Sequence, residues 1–166
     1  MLRFLLAIYS SMTISPGMQL KIDKINKLIE EGYTLNKKNG FIDFRNSSGK
    51  TVNIYGFKPP AGFSWIAFFF PFAVCTQIKE WSYFYITGGI FAIVSIVNVA
   101  TGFDATNACS IAIGMFYASM FPYLRKIASD SGITENSKLK SIIIGLLLSI
   151  VCVIPSLIIE GIFLSS

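Results

Sequence analysis

The 166-residue chain contains no histidine, and its three cysteines show no paired spacing and no spacing typical of metal ligands. Histidine is the commonest general base and the commonest metal ligand, so its absence removes the most frequent catalytic and metal-binding chemistries. The sequence also has no G-x-S-x-G motif and no glycine-rich phosphate-binding loop. We therefore expect a protein that is not an enzyme and that uses no metal and no cofactor.

Charged residues are also scarce, at 14% of the chain, whereas hydrophobic residues make up 53% and the mean hydropathy is +0.61. The charges avoid four segments almost completely, and only Glu160, at the end of the last one, falls inside any of them. These segments comprise residues 61–78, 81–103, 105–124 and 141–160. Because about 20 apolar residues in a helix cross a bilayer core about 30 Å thick, residues 59–166 are predicted to form a membrane domain.

The predicted fold class is therefore mostly α: a helical integral membrane protein with three to four membrane segments and a small, basic, soluble α+β microdomain over residues 16–58. Residues 1–15 form an apolar N-terminal segment. It has the outline of a signal peptide, but its apolar core is short and its cleavage site poor, so a peripheral or amphipathic segment is favoured. A start codon misplaced upstream of Met18 is the remaining alternative.

The microdomain opens with a predicted helix over residues 16–31. Ser15 and Pro16 are typical of a helix start, and Gly32 is typical of a helix end. Isoleucines between these ends recur on one stripe, with lysines over much of the remaining surface. This pattern predicts a basic amphipathic helix that either packs on the strands that follow or lies on the lipid surface.

Beyond this helix the pattern changes to period two, which is typical of strands. Strands are predicted over residues 41–45 and 51–55 around a turn at 46–49, with residues 33–35 as a third strand. A unit of roughly 40 residues is too small to bury much core alone. We expect the microdomain to pack against the membrane domain or against a partner.

The distribution of basic residues predicts how the chain threads through the membrane. The loop at residues 125–140 is basic and should be cytoplasmic, whereas the turn at 101–107 should face outward. Because Pro71 interrupts the first segment, we favour a segment 61–78 that enters and leaves on the same face, with three full spans, the N-terminus inside and the C-terminus outside. The alternatives are an additional crossing by residues 1–15, and four full spans that violate the charge rule.

Small residues recur every four positions in the predicted spans, a spacing that lets helix backbones approach closely. Aromatic residues lie near span ends, as an interfacial belt requires. Asp104 belongs to the outer turn and Glu160 to a span end, so we expect water at the interface to solvate both. The candidate interface or anchoring residues are Trp65, Phe68, Phe69, Phe70, Trp81, Asp104, Ser110, Gly114 and Ala118.

The nine residues from Gly62 to Phe70 read Gly-Phe-Ser-Trp-Ile-Ala-Phe-Phe-Phe, and Lys79 and Trp81 follow a short apolar stretch. This run resembles the signature of a family of small bacterial inner-membrane proteins known only as a domain of unknown function. The family usually has glycine after the triple phenylalanine, where this chain has Pro71. The resemblance implies a bacterial inner-membrane location and no chemistry.

Three functions fit these features. The first is a non-catalytic inner-membrane protein that binds another membrane protein, as immunity or exclusion factors do. The alternative is a subunit of a small oligomeric channel or transporter, and the third is a lipid-sensing surface protein based on Lys21, Lys24 and Lys27. The expected partners are the lipid bilayer and a membrane protein or a second copy of the chain. Nucleic acid is not expected despite the net charge of +5, since basic residues flanking membrane segments usually face anionic lipid.

Overall fold

The computed structural model describes residues 15–38, 40–56 and 58–164, and the predictions for residues 1–14 lie outside this part of the chain. The described residues are mostly helical, with six helices and one two-stranded sheet. In chain order the elements are α1 (Pro16–Glu30), β1 (Tyr33–Lys38), β2 (Phe41–Asn46), α2 (Trp65–Phe69), α3 (Pro71–Gln77), α4 (Ser82–Thr101), α5 (Thr106–Asp130) and α6 (Lys138–Leu164).

Helix α1 begins and ends where the sequence predicts. The Ser15 hydroxyl accepts a hydrogen bond from the Met18 backbone N–H, Pro16 occupies the first position, and Gly32 follows the helix with φ +92°. The face that contains Ile22 and Ile25 is buried, and the helix packs on β1 and α5. Of the two predicted environments, the structure shows packing on the rest of the protein.

Two of the three predicted strands are present. Strand β1 pairs antiparallel with β2, from Tyr33 opposite Asn46 to Lys38 opposite Phe41. The predicted strand at residues 51–55 is corrected, since this segment adds only a short bridge between Thr51 and Arg45, with the Val52 N–H donating to the carbonyl of Phe44. Further along, the Tyr55 ring stacks on Phe116 of α5 instead, with ring centroids 5.1 Å apart.

Two helices of the described residues, α4 and α6, are long and apolar enough to cross a membrane. They run in the same direction, since Phe84 contacts Cys152 near the start of α4 and Ser95 contacts Glu160 further along both helices. Helix α4 ends at Gly102, which adopts the left-handed conformation with φ +70°. Thus the predicted segments 81–103 and 141–160 correspond to two continuous apolar helices.

The predicted segment 105–124 differs from these two. It belongs to the longer helix α5, whose Tyr117 ring packs against Tyr83 in the first turn of α4, with centroids 4.9 Å apart. The middle of α5 therefore lies beside the start of α4. Beyond it, Tyr123 is fully buried under the microdomain, where its ring contacts Phe44 at 5.9 Å. The expectation of one uniform membrane segment is corrected, since the second half of α5 is core shared with the microdomain.

The predicted segment 61–78 forms two short helices, α2 and α3, with a break at Phe70 and Pro71. Pro71 starts α3 and has no N–H to continue the bonding of α2. Helix α2 runs opposite to α5, and α3 runs opposite to the first half of α6. The start of α2 and the end of α3 therefore lie at the same end of the molecule, beside the microdomain and the loop at residues 131–137. We call residues 64–77 the helical hairpin.

Candidate interaction surface

Two glycines let the helical hairpin approach its neighbours closely. A Cβ atom at Gly114 would lie 3.2 Å from the carbonyl oxygen of Phe68, and one at Gly145 would lie 2.8 Å from that of Phe72. Helix α2 thus rests on α5 and α3 rests on α6, one on each side of the break. Small residues in apolar helices allow this kind of backbone contact, which contributes van der Waals packing.

The predicted stripe of small residues on α5 consists of Ser110, Gly114 and Ala118, and not all of them contact the hairpin. Ala118 is fully buried, and its carbonyl oxygen accepts a hydrogen bond of 3.0 Å from the Ser64 backbone N–H at the start of the hairpin. Gly114 is also buried, as described above. Ser110 is exposed instead, and its hydroxyl donates to the carbonyl of Thr106 in its own helix. Two of the three stripe residues therefore meet the hairpin.

The hairpin exposes most of its aromatic residues. The Ser64 hydroxyl starts α2 by accepting a hydrogen bond from the Ala67 N–H. Ala67 is fully buried, whereas the two residues before it are exposed. The exposed fraction is 64% for Trp65 and 63% for Phe69, and Phe70 is exposed as well, whereas Phe68 is half-buried. The rings contact one another, and those of Phe68 and Phe69 have centroids 5.0 Å apart in an edge-to-face arrangement. The predicted aromatic cluster is thus a surface.

Side chains from other elements fix both ends of the hairpin. At its start, the Lys21 ammonium donates to the carbonyl of Phe63, and the Tyr123 hydroxyl accepts from the Ala61 N–H at 3.1 Å. Burial lowers the pKa of Lys21, and the neighbouring charge of Lys24 lowers it further. These contacts tie the hairpin to both α1 and α5.

At the other end, a polar network holds the end of α3. The Asn136 side chain donates to the carbonyl of Thr76 at 2.9 Å, and its backbone N–H donates to the carbonyl of Gln77 at 2.9 Å. Two carbonyls at the end of α3 are satisfied in this way. Glu135 accepts two hydrogen bonds from Arg125, at 3.0 and 2.9 Å, and one from the Gln77 side chain at 2.9 Å.

Between α3 and α4 the chain reverses at Lys79, a residue other than glycine that adopts φ +57°. Glu80 follows and is buried, with its carboxylate 2.6 and 2.5 Å from the Lys37 ammonium of β1. Ser82 also donates to this carboxylate through its backbone N–H and its hydroxyl. The predicted anchor Trp81, between these residues, is 39% exposed.

Polar groups also line the contact between α4 and α6. The buried Ser95 hydroxyl donates to Glu160 at 2.9 Å, and the Ser156 hydroxyl is buried with no hydrogen-bond partner among the residues that the structure describes. Nearby, Thr87 and Cys152 line a cavity of about 70 Å³. Glu160 is half-buried and accepts this hydrogen bond from α4, so its surroundings include another helix besides the water expected at a span end.

Asp104 is fully exposed in the turn between α4 and α5, as predicted. Its carboxylate accepts a hydrogen bond of 2.9 Å from the Thr106 backbone N–H, the first residue of α5. Hydrogen bonds from Thr106 lower the pKa of Asp104. Its role in the structure is to start a helix.

In the described part of the chain, no three His, Cys, Asp or Glu side chains lie close enough together to hold a metal ion. The sequence reasoning missed the networks around Glu80 and Glu135, because the partners of each carboxylate include residues distant in sequence. A weak signal was available for Glu80, which lies between two apolar segments. Comparisons with protein-family models, curated proteins and solved structures gave no match. The resemblance based on residues 62–70 therefore stays a prediction.

Proposed function

We propose that the chain is a multi-pass protein of the bacterial inner membrane, in which α4, α5 and α6 cross the bilayer and the helical hairpin re-enters it from the cytoplasmic side. The parallel direction of α4 and α6 supports this topology, since the chain between two parallel spans must return across the membrane. From Tyr123 to Gly114, residues 61–68, which include the start of the hairpin, follow α5 over about 13 Å at 1.5 Å per residue, roughly half of the apolar core.

The distribution of charge supports the orientation. All thirteen lysines and arginines of the described residues, with seven acids, lie in the microdomain, in the loop at 131–137 or at the helix ends beside them. Among the charged residues that the structure describes, the opposite end carries only Asp104 and Glu160. By the positive-inside rule, the microdomain end faces the cytoplasm.

The exposed side of α6 supports the membrane location. Apolar side chains from Leu139 to Phe163 are exposed along the whole helix, and Leu147, Ile150 and Leu157 are each exposed by about 60%. This length corresponds to about 36 Å of helix, and soluble monomers rarely expose contiguous apolar patches of more than a few hundred Å². Acyl chains are the medium that suits such a surface.

Within this topology we propose a non-catalytic role in binding another membrane protein, of the immunity or exclusion type. The observation that carries this proposal is the broken, exposed tip of the helical hairpin. Pro71 has no N–H to donate to the carbonyl of Ala67 four residues earlier, and Phe69 and Phe70 beside this break are exposed among the residues that the structure describes. Irregular backbone at membrane depth is tolerated only where protein or water covers it, so a partner protein at the tip would remove the cost of the break.

Co-purification from a mild detergent tests this role. The full chain carrying an affinity tag should retain a specific membrane protein, and the double variant Trp65→Ala, Phe69→Ala should lose it. The matched control is Tyr85→Ala, since Tyr85 is an aromatic residue of α4 that is 78% exposed and far from the tip in sequence. Retention of the same partner by the tip variant would contradict the proposal, as would the absence of any retained protein.

The contact between α4 and α6 favours a second candidate, a subunit of an oligomeric channel or transporter. Glu160, Ser95 and Ser156 place a carboxyl and two hydroxyls between apolar helices, and polar groups inside membranes often mark ion pathways. Purified protein reconstituted into liposomes should then conduct ions, and Glu160→Gln should change the flux. Liposomes that stay as tight as protein-free controls would exclude this candidate.

A further inference from the structure

Three exposed lysines lie on the two chain segments that meet where α3 ends and α6 begins. The hydrogen bonds from Asn136 to Thr76 and Gln77 hold these two chain segments together. Lys79 lies two residues beyond Gln77, and Lys138 and Lys140 follow Asn136 within four residues; all three lysines are exposed. We call Lys79, Lys138 and Lys140 the lysine corner.

The acidic residues near the lysine corner are already paired with other cations. Glu80 binds Lys37 at 2.5 Å, and Glu135 binds Arg125 at 2.9 Å. Among the described residues, none of the three corner lysines forms an ion pair. The corner therefore keeps three uncompensated positive charges, held in place by a backbone that the Asn136 network fixes.

Apolar surface begins at the same place. Leu139, between two of the lysines, is 70% exposed, and Ile142 and Ile143 continue the exposed side of α6. Trp81, two residues after Lys79, is 39% exposed. A ligand that matches the whole corner has an anionic group bonded to apolar chains, whereas a soluble anion would match only the charges.

We propose that the lysine corner binds the headgroups of anionic phospholipids, with their acyl chains against the start of α6. This inference rests on the membrane location proposed above. Each basic residue near an anionic membrane surface contributes a factor of about five in affinity. The corner should thus enrich phosphatidylglycerol over phosphatidylcholine in the lipid next to Trp81.

Tryptophan quenching tests the proposal in the intact chain. The chain has two tryptophans, Trp65 and Trp81, so the Trp65→Phe background leaves Trp81 as the single reporter. The protein is reconstituted into phosphatidylcholine vesicles in which a small, equal fraction of either phosphatidylglycerol or phosphatidylcholine carries brominated, quenching acyl chains. We expect brominated phosphatidylglycerol to quench Trp81 more strongly at low salt, and the excess to shrink as salt rises.

The triple variant Lys79→Gln, Lys138→Gln, Lys140→Gln should abolish this excess, with about a fivefold loss of enrichment for each lysine removed. The matched control, Lys24→Gln, Lys27→Gln, Lys50→Gln, removes three exposed lysines of the microdomain and should keep the excess. Equal quenching of Trp81 by both lipids in the parent chain would overturn the proposal. It would also be overturned if the control variant lost the excess quenching by phosphatidylglycerol and the corner variant retained it. Failure of the protein to float with vesicles of either composition would instead refute the membrane location itself.

Discussion

Substitution of Gly145 by alanine tests the close contact that holds the helical hairpin in place. The added Cβ atom would lie 2.8 Å from the carbonyl oxygen of Phe72 and 3.0 Å from its carbonyl carbon. Both are backbone atoms of α3, so no side-chain rotation can relieve the overlap. Overpacking of this kind costs about 1–3 kcal/mol, and the higher helix propensity of alanine returns about 1 kcal/mol. Because the overlap involves backbone atoms, we expect a cost in the upper part of this range, about 2–3 kcal/mol, and therefore a net loss of about 1–2 kcal/mol.

The assay is thermal unfolding of the purified, detergent-solubilised protein, where this loss should lower Tm by about 2–8 °C. Two further glycines provide graded controls. At Gly114 the closest approach is 3.2 Å, so Gly114→Ala should lower Tm by less. At Gly89 an added Cβ atom would have no neighbour within 4 Å, so Gly89→Ala should leave Tm unchanged or raise it through helix propensity. A Gly145→Ala protein as stable as the parent would refute the packing of α3 on α6.

Three other substitutions have expected outcomes in the same assay. Lys79→Gly should raise stability by about 1 kcal/mol, because glycine adopts the left-handed φ of +57° without the steric cost that lysine bears; an unchanged Tm would argue against strain there. Glu80→Gln should cost about 1–2 kcal/mol, since the Lys37 ammonium loses its charged partner, and adding Lys37→Met should recover part of that loss if the pair is formed. The folded-state pKa of Asp104 is lowered from 3.8, so its contribution is present above pH 3.8 and should fade as the pH drops through the lower folded value. The Asp104→Asn variant, whose side chain still caps the helix, should not show this loss of stability at low pH. Parallel curves of stability against pH for the parent and the variant would exclude the contribution of Asp104.

Local signals identified the helical elements and both strands of the sheet, but they also predicted a third strand at residues 51–55 that is only a short bridge. The limits of α1 follow from Ser15, Pro16 and Gly32, which act on the chain within a few residues of themselves. The break in the segment 61–78 follows from Pro71, whose missing N–H acts four residues away. The environment of residues 51–55 includes contacts distant in sequence, such as the stacking of Tyr55 on Phe116, which no pattern within the segment records.

The candidate surface shows the same division. Composition alone identified Trp65 and Phe69 as an aromatic cluster, and the spacing of Gly114 and Ala118 indicated a packing face. Neither pattern indicates that the hairpin itself occupies that face, because spacing within one helix does not specify its neighbour. Hydropathy also gave no sign that α5 changes environment near Tyr117, since a residue buried under the microdomain and one buried in a bilayer are equally apolar.

The position of Tyr123 links the start of the helical hairpin to the microdomain. Its ring packs on Phe44 of β2, and its hydroxyl accepts the hydrogen bond from Ala61 just before the hairpin begins. Lys21 of α1 holds the neighbouring carbonyl of Phe63. A partner that moved α2 relative to α5 would therefore have to break contacts made by both parts of the microdomain, its helix and its sheet. In the proposed topology these contacts lie on the cytoplasmic side. Packing outside the bilayer would therefore oppose any movement of α2 that a partner causes by binding at the tip inside the bilayer. A microdomain that stays docked would keep the exposed aromatic rings of the hairpin in a fixed position for a partner.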